Sequence, residues 1–470
     1  MQNDLEQSGR WYDGVTRYQW LVLIIASLGW IFDVFEGQIF VASMKEAMPS
    51  LVAEGTSPGQ IALYNNIAFG SFLLGGALGG ILFGVLSDRI GRTKTMSLTI
   101  LFYSLFTCVS SFSQQWWQLA GLRFLVAMGV GGEWAVASSM VAEVFPRKAR
   151  AHVGALFHGS SVFGTYLAVA AGMFIIGNDA IRQWAVDLGH PSLPWRIGFA
   201  LGVLPALLIV WIRLRLKEPE SWRTARQRAG SGTGPQLGRI SELFGKELLG
   251  HTAVGVTLAA VGLATFWGAH IYGKDVLEAA VADRYLQEAG VDRSDAADDT
   301  IKAKVTEILA AHKMPLKRWE MLGMFLVTTG GGLGLISFGP ICERIGRRGA
   351  FLLFHLGGLA AALLLFQKIH GVNLVMVCLP IFGFLTLGMH AGYAVYFPEL
   401  FPTRLRGTGA GFCFNGGRIL AVPVLLISGW MQHDWGFTLT DAASILSLLF
   451  LVGAATLLFA PETRGRELME

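Results

Sequence analysis

Charge is scarce in this chain. Of its 470 residues only 15% are Asp, Glu, Lys or Arg, against about 25% in ordinary soluble domains. Long stretches carry almost none, so a large soluble core does not explain the shortfall. Cysteine is scarce too. Cys108, Cys342, Cys378 and Cys413 all fall in or beside apolar runs, without a CxxC spacing. Buried packing thiols are expected, not a disulfide framework or a zinc site. No Asn-x-Ser/Thr sequon occurs, which fits a bacterial inner membrane. Metal-ligand spacing, nucleotide loop and nucleophile triad are all missing, so no enzyme, metal or organic cofactor is expected. The glycine runs at 76–80 (GALGG) and 129–132 (GVGG) follow no strand and read as helix-packing glycines. No basic patch with interleaved aromatics exists outside the loops, which excludes a nucleic-acid partner. Residues 1–17 are polar and do not form a cleavable signal peptide, leaving the first apolar run as an uncleaved anchor.

Apolar length is what the chain has. It is 53% hydrophobic, with mean hydropathy +0.50. A bilayer span needs roughly 20 mainly apolar residues. Twelve candidates satisfy this: about 18–43, 60–86, 95–113, 116–143, 152–176, 196–216, 248–272, 318–341, 349–368, 373–398, 407–430 and 441–459. The fold class is therefore all-α and integral to the membrane, with the lipid bilayer as one partner. Net charge is +4, but its distribution matters more than its sum. The short odd-numbered loops hold few basic residues: Lys45, Arg182, Arg196 at a span edge and Lys368. The even-numbered loops and the tails hold most of the rest. By the positive-inside rule both termini are cytoplasmic.

A loop recurs. Residues 84–92 read GVLSDRIGR and residues 339–347 read GPICERIGR, each between two apolar runs. A second pair follows it: Glu143-Val-Phe-Pro146-Arg147 with Arg150, and Glu399-Leu-Phe-Pro402 with Arg404 and Arg406. The chain is two similar membrane halves, an organisation typical of transporters. The expected units are 1–212, a cytoplasmic linker at 213–247 rich in Arg, Gly and Ser, and 248–470. One segment breaks the symmetry, an extracytoplasmic insert at 273–317. Val276, Leu277, Ala280, Tyr285 and Leu286 suggest one amphipathic helix, and Ile301, Val305, Ile308 and Leu309 another, with a polar break at 292–299. The insert is either a tethered decoration or a lid over the outer mouth.

These motifs resemble the major facilitator superfamily. Gly84 to Arg92, with Asp88, Arg89 and Arg92, is similar to its loop between spans 2 and 3. Arg123-Phe-Leu-Val-Ala-Met-Gly129-Val-Gly131-Gly132-Glu133 resembles its fourth-span motif. Leu216-Lys-Glu218-Pro219-Glu220-Ser221-Trp222 and Pro461-Glu462-Thr463-Arg464-Gly465 resemble the endings of spans 6 and 12 in its sugar-porter and organic-ion branches. Gly29-Trp-Ile-Phe-Asp33-Val-Phe-Glu36 resembles the first span of the sialate/lactate-type metabolite:proton symporters. Phe414-Asn415-Gly-Gly417-Arg418 resembles their eleventh span, and that of aromatic-acid symporters. The sugar-porter glutamine signatures are missing from GALFHGSSVFGTYLA in span 5 and GLATFWGAHIYGKD in span 7. The resemblance implies twelve transmembrane helices in two six-helix halves, with spans 1, 4, 7 and 10 around a cavity. It also implies a gating latch on the cytoplasmic face from Asp88, Arg89, Arg92, Glu143, Arg147, Glu343, Arg344, Arg347, Glu399 and Arg404.

Charge at mid-membrane costs a few kcal/mol, so such residues are functional candidates by default. Asp33 and Glu36 share one face of span 1. Arg123 and Glu133 stand on span 4, roughly 15 Å apart along the helix. Arg418 lies near the middle of span 11. The resemblance makes Asp33 with Arg123 the proton-coupling pair. Beside an arginine a buried carboxylate keeps its charge, and away from it takes up a proton. Glu133 is a second partner for that proton, or a packing residue beside Gly131 and Gly132. Arg418 has the planar fork that grips a carboxylate, or pairs with Asp33 or Glu36. His158, His270, His390, Trp267, Tyr393 and Tyr396 suggest a polar, aromatic-walled site, although each alone suits packing. Asn65, Asn66 and Asn415 suit either a ligand or helix–helix hydrogen bonds. The expected activity is proton-coupled symport of a small organic carboxylate by a monomer, with the proton as coupling ion. Two alternatives stand. Three buried acids against two buried arginines leave room for an organic cation, a sugar or a drug moved by antiport. A non-transporting receptor on a transporter fold is the other.

Overall fold

The computed structural model describes residues 10–230, 236–291, 299–433 and 435–470. The Gly/Ser-rich stretch at 231–235 and most of the polar break at 292–298 lie outside the described residues. The described residues are helical with no strand. Among the described residues nine helical stretches are long and apolar enough to cross a bilayer. One of them, Pro315–Gln367, contains both spans 8 and 9. Two further helices, Arg92–Ser110 and Arg406–His433, supply spans 3 and 11 and complete the twelve. Span 3 turns Thr95, Thr99, Ser104, Thr107 and Ser110 inward, and Leu98, Leu101 and Leu105 outward. A helix buried on its polar face against other spans does not need uniform apolarity.

Local chemistry sets the boundaries. Thr16 and Gln19 form a capping box at the start of Arg17–Ala47, which is span 1. Ser57 caps Pro58–Ile90, span 2, with Pro58 in the first turn. Span 4 is Trp116–Val144. Span 5 runs from Arg147 through Gly159 and Ala171 and ends in a π turn, Gly172–Ile176. Span 6 is interrupted by a 3-10 segment, Leu201–Ala206, around Pro205, whose missing N–H cannot join the α ladder. Span 7 is Leu249–Gly268, span 10 runs from Val372 to Tyr396, and span 12 from Leu439 to Thr456. Spans 8 and 9 form one run, Lys313–Gln367, broken only at Gly346 with φ 82°.

Apolar side chains such as Leu207, Leu458 and Phe459 point outward, as helices bathed in lipid require. The main buried cluster draws on both halves, with Trp134 and Phe157 from the first and Phe338, Tyr393 and Phe414 from the second. The halves therefore meet in a shared apolar seam.

The insert forms the two expected helices, Gly273–Glu288 and Asp299–Ala311. Val276, Leu277 and Leu286 are buried. Lys274 bonds Asp275 at 2.9 Å and Glu320 of span 8 at 2.5 Å. Phe382 of span 10 packs over Gly273. The first insert helix thus braces spans 8 and 10 of its own half, which favours the tethered reading over the lid. The linker is not loose either. Its helix Glu220–Gly230 is pinned by the Trp222 indole, which donates to the Asp88 carbonyl at 2.7 Å.

Candidate functional site

Two polar assemblies interrupt the apolar seam. The first lies on the face that carries the repeated loops. Arg92 follows Gly91, whose φ of 114° only glycine adopts freely. Its guanidinium donates to Asp88 at 2.6 Å, to Glu143 at 2.8 Å and to the Thr403 carbonyl at 3.0 Å. Asp88 also accepts from the Gly407 N–H at 3.1 Å, the Thr408 N–H at 2.8 Å and the Thr408 hydroxyl at 2.6 Å. Arg406 donates to Glu143 at 2.8 Å. Asp88, Arg92, Glu143 and Arg406 are all sealed from solvent. Span 2 can lie this close to span 11 because Gly84 faces the Gly407 carbonyl, 2.6 Å from where a Cβ would stand.

The second copy builds a similar centre. Arg347 donates to Glu343 at 2.7 Å and to Glu399 at 2.7 Å, and the Thr463 hydroxyl donates to Glu399 at 2.5 Å. Two carboxylates absent from the expected latch do the same work in each half. Glu218 accepts from the Arg92 N–H at 2.7 Å and the Thr93 N–H at 3.1 Å. Glu462 accepts from the N–H groups of Arg347 and Arg348 at 3.0 and 3.1 Å. Each caps the start of a span with negative charge where the helix dipole is positive. Burial opposes the charge of Glu462, but the backbone N–H groups of Arg347, Arg464 and Arg348 hold its carboxyl below the usual range.

The remaining latch candidates sit at the edges. Arg89 reaches the Gly238 carbonyl at 3.5 Å, and Arg147 the Gly465 carbonyl at 2.9 Å. Arg404 pairs with Glu242. The Arg344 side chain is exposed. Sequence reasoning left Arg406 out of the latch, although its place in the second Glu-x-Phe-Pro repeat was a signal for it.

The second assembly lies at mid-membrane. Asp33, Glu36, Arg123 and Glu133 are 1% exposed or less. Both oxygens of Asp33 and both of Glu36 lack a hydrogen-bond partner, as does one of Glu133. The other Glu133 oxygen accepts from Thr99 at 2.5 Å. Glycines make room for these groups. A Cβ at Gly29 would stand 2.8 Å from Glu133, one at Gly202 would stand 2.6 Å from Glu36, and one at Gly76 would strike Arg418.

The charge pairing differs from the one the resemblance implied. Arg123 lies in the field of Glu36, not of Asp33, and donates to Ser110 at 2.8 Å. Its guanidinium also stacks 4.7 Å from the Phe199 ring. Asp33 lies instead in the field of Arg418 of the other half, without an ion pair between them, and in the fields of Glu133 and Glu36. Neither Asp33 nor Tyr103 closes a hydrogen bond. The reason is helical. Three residues along a helix is most of a turn but not all of it, so Asp33 and Glu36 diverge toward different neighbours.

Arg418 lies 5.4 Å over the Phe414 ring, which stacks 4.2 Å from Trp134. The Trp134 indole donates to His158 at 3.1 Å. Tyr393 lies 6.1 Å from Phe414 and 5.2 Å from His390, and Phe266 flanks both His390 and His270. These contacts form one aromatic belt from both halves. Three candidates contribute otherwise. The Tyr393 hydroxyl is spent on the Leu258 carbonyl at 3.0 Å. Asn415 is fully buried, with its amide N–H on the Gly411 carbonyl at 2.9 Å and its side chain against Gly80. Trp267 meets Phe69 of the first half at 5.6 Å. Tyr396 lies nearer the loops, its hydroxyl on the Pro461 carbonyl. Asn66 stands apart, exposed beside Leu63 and Ile67. Among the described residues no cluster of three His, Cys, Asp or Glu could hold a metal ion.

Such an arrangement can bind a small polar molecule between two halves and close one face on a set of ion pairs, which is transport machinery rather than catalytic machinery. Known proteins agree. The chain is 27% identical to the sialic acid transporter NanX of Escherichia coli, over 94% of this chain and 96% of that one. It is 25% identical to the niacin transporter NiaP of Acinetobacter baylyi, over 97% and 96%. Among solved structures, the proton:xylose symporter XylE superposes with a TM-score of 0.71 at 18% identity, covering 96% and 98%. The human organic anion transporter MFSD10 gives 0.66 at 16%, covering 93% and 99%. Residues 304–470 match the family model described as Sugar (and other) transporter. Residues 21–282, more than half of the chain, match the model described as Major Facilitator Superfamily, and the protein belongs to that superfamily of membrane transporters.

Proposed function

We propose that this protein carries a small organic carboxylate across the membrane together with a proton, by alternating access. The relatives' named cargoes support the substrate class: sialic acid, niacin and, for a relative 26% identical from Acinetobacter baylyi, cis,cis-muconate. The observation that carries the coupling is the position of Asp33. Its carboxylate is sealed, has no hydrogen-bond donor, and lies in the field of Arg418 from the other half. A proton on Asp33 removes a charge that no donor satisfies, and it frees the Arg418 fork for the carboxylate of a substrate. Proton and anion then favour each other's binding, which is the requirement for symport. Glu133 and Glu36, with Arg123, hold the rest of the buried charge. In this reading the loop face is cytoplasmic, as the basic loops imply, and the ion pairs there close the inner gate.

The test separates coupling from binding. In proteoliposomes Asp33→Asn should abolish uphill uptake driven by a proton gradient while leaving counterflow exchange of the same cargo. Unchanged uphill uptake by this variant refutes the proton role of Asp33.

A further inference from the structure

Four buried histidines line or adjoin the aromatic belt, and their hydrogen bonds fix which ring nitrogen carries the proton. A neutral imidazole donates through one nitrogen and accepts through the other. The Trp134 indole is a donor only, so the His158 Nδ1 it touches at 3.1 Å must accept. The His158 proton is therefore on Nε2. At His270 the logic reverses. The Thr386 hydroxyl spends its hydrogen on the Phe382 carbonyl at 2.7 Å. It therefore accepts from His270 Nδ1, also at 2.7 Å, and Nε2 is left as a bare acceptor. His390 donates through Nε2 to the Gly262 carbonyl at 3.2 Å, leaving Nδ1 as a bare acceptor. His355 is the contrast. Its Nδ1 donates to the Phe351 carbonyl and its Nε2 is sealed without a partner, on a side chain 0% exposed. The other three keep 5%, 6% and 5% of their surface, and their second nitrogens are not sealed. His355 is packing; the other three present a free edge.

We infer that His270 and His390 form an acceptor pair that selects carboxylates bearing a hydroxyl or N–H donor away from the carboxylate, with His158 offering one donor beside them. This rests on the organic-anion reading above and narrows its cargo. Arg418 sits on the Phe414 ring, which lies 6.1 Å from Tyr393, itself 5.2 Å from His390, so the anion-gripping fork and the acceptors belong to one belt. A site whose acceptors expect a donor rejects an analogue without one, because the acceptors are then buried unpaired.

The experiment uses the full-length protein in lipid nanodiscs and measures affinity by calorimetry for matched probes: benzoate against 4-hydroxybenzoate, and butyrate against 4-hydroxybutyrate. Each hydroxylated member should bind about tenfold tighter, the worth of one well-made hydrogen bond. The variants His270→Asn and His390→Gln keep an amide N–H where Nδ1 or Nε2 donates, and delete the opposite lone pair. Each should shrink the preference toward parity, with benzoate binding at least as tightly as to the wild type because the unpaired acceptor is gone. If both members of each pair bind equally to the wild type, or the preference survives both variants, the acceptor pair is refuted and the anion reading stands. If no carboxylate binds at all, the anion reading falls and takes this inference with it. His355→Gln is the control and should alter no preference.

Discussion

The two copies of the loop share a sequence pattern and an internal geometry, yet only one of them ties the halves together. In each, an arginine bridges an acid one turn before it and a glutamate from the fourth span of the same half: Arg92 with Asp88 and Glu143, Arg347 with Glu343 and Glu399. In each, a carboxylate from the end of that half caps the following span. In each, a glycine lets two spans cross between halves, Gly84 against Gly407 and Gly339 against Ala151. Even the next arginines match, Arg406 donating to the Pro398 carbonyl and Arg150 to the Ala142 carbonyl, both at 3.0 Å. The difference lies in what crosses. Asp88 accepts two N–H groups and a hydroxyl from the second half, and Arg406 bonds Glu143 of the first. Glu343 stays with its own Arg347 and is 30% exposed. A duplicated motif thus supplies two ion centres, but a latch only where the opposing helix N-terminus points donors into it.

That comparison can be broken or sharpened by substitution, with spin labels on the exposed residues Lys94 and Arg348 reporting the separation of the halves at the loop face. The largest effect is expected from Asp88→Asn. An amide cannot replace a charge that takes four hydrogen bonds in a sealed site, and breaking such a pairing costs about 3–5 kcal/mol. The distance distribution should shift almost wholly to longer separations. An unchanged distribution would remove Asp88 from the latch. Intermediate effects are expected from Gly84→Ala and Gly339→Ala. Each new methyl would meet an unyielding backbone carbonyl, at 2.6 and 2.7 Å, an overpacking worth about 1–3 kcal/mol. The two should widen the distribution similarly, and a large inequality between them would show that the crossings are not equivalent. Glu343→Gln should do least, below about 1 kcal/mol, because a partly exposed pair is screened by solvent. If it opens the face as far as Asp88→Asn does, the two loop copies latch alike and the asymmetry does not hold.

The mid-membrane site was partly legible and partly not. Asp33, Glu36, Arg123, Glu133 and Arg418 announced themselves because charge in an apolar run is costly and rare. Their partners did not. The acids of span 1 lie in the fields of arginines from spans 4 and 11, and only packing decides which acid meets which arginine. The glycines that admit these side chains, Gly29, Gly76 and Gly202, are visible in the sequence, but nothing there says which charge each one accommodates. Glu218 and Glu462 were read as motif endings; their role as caps depends on two short loops folding back onto the starts of spans 3 and 9.

The sequence by itself determined the number of spans, the duplication, the basic loops and the identity of the buried charges. All of these follow from hydropathy, spacing and the cost of charge in lipid, which are local properties of the chain. Tertiary structure alone decided that Asp33 lies in the field of Arg418 and Glu36 in that of Arg123, that one latch crosses the seam and the other does not, and which nitrogen each histidine presents. Those depend on the orientation of one helix against another, to within a fraction of a turn and an ångström or so, and no residue carries that information alone.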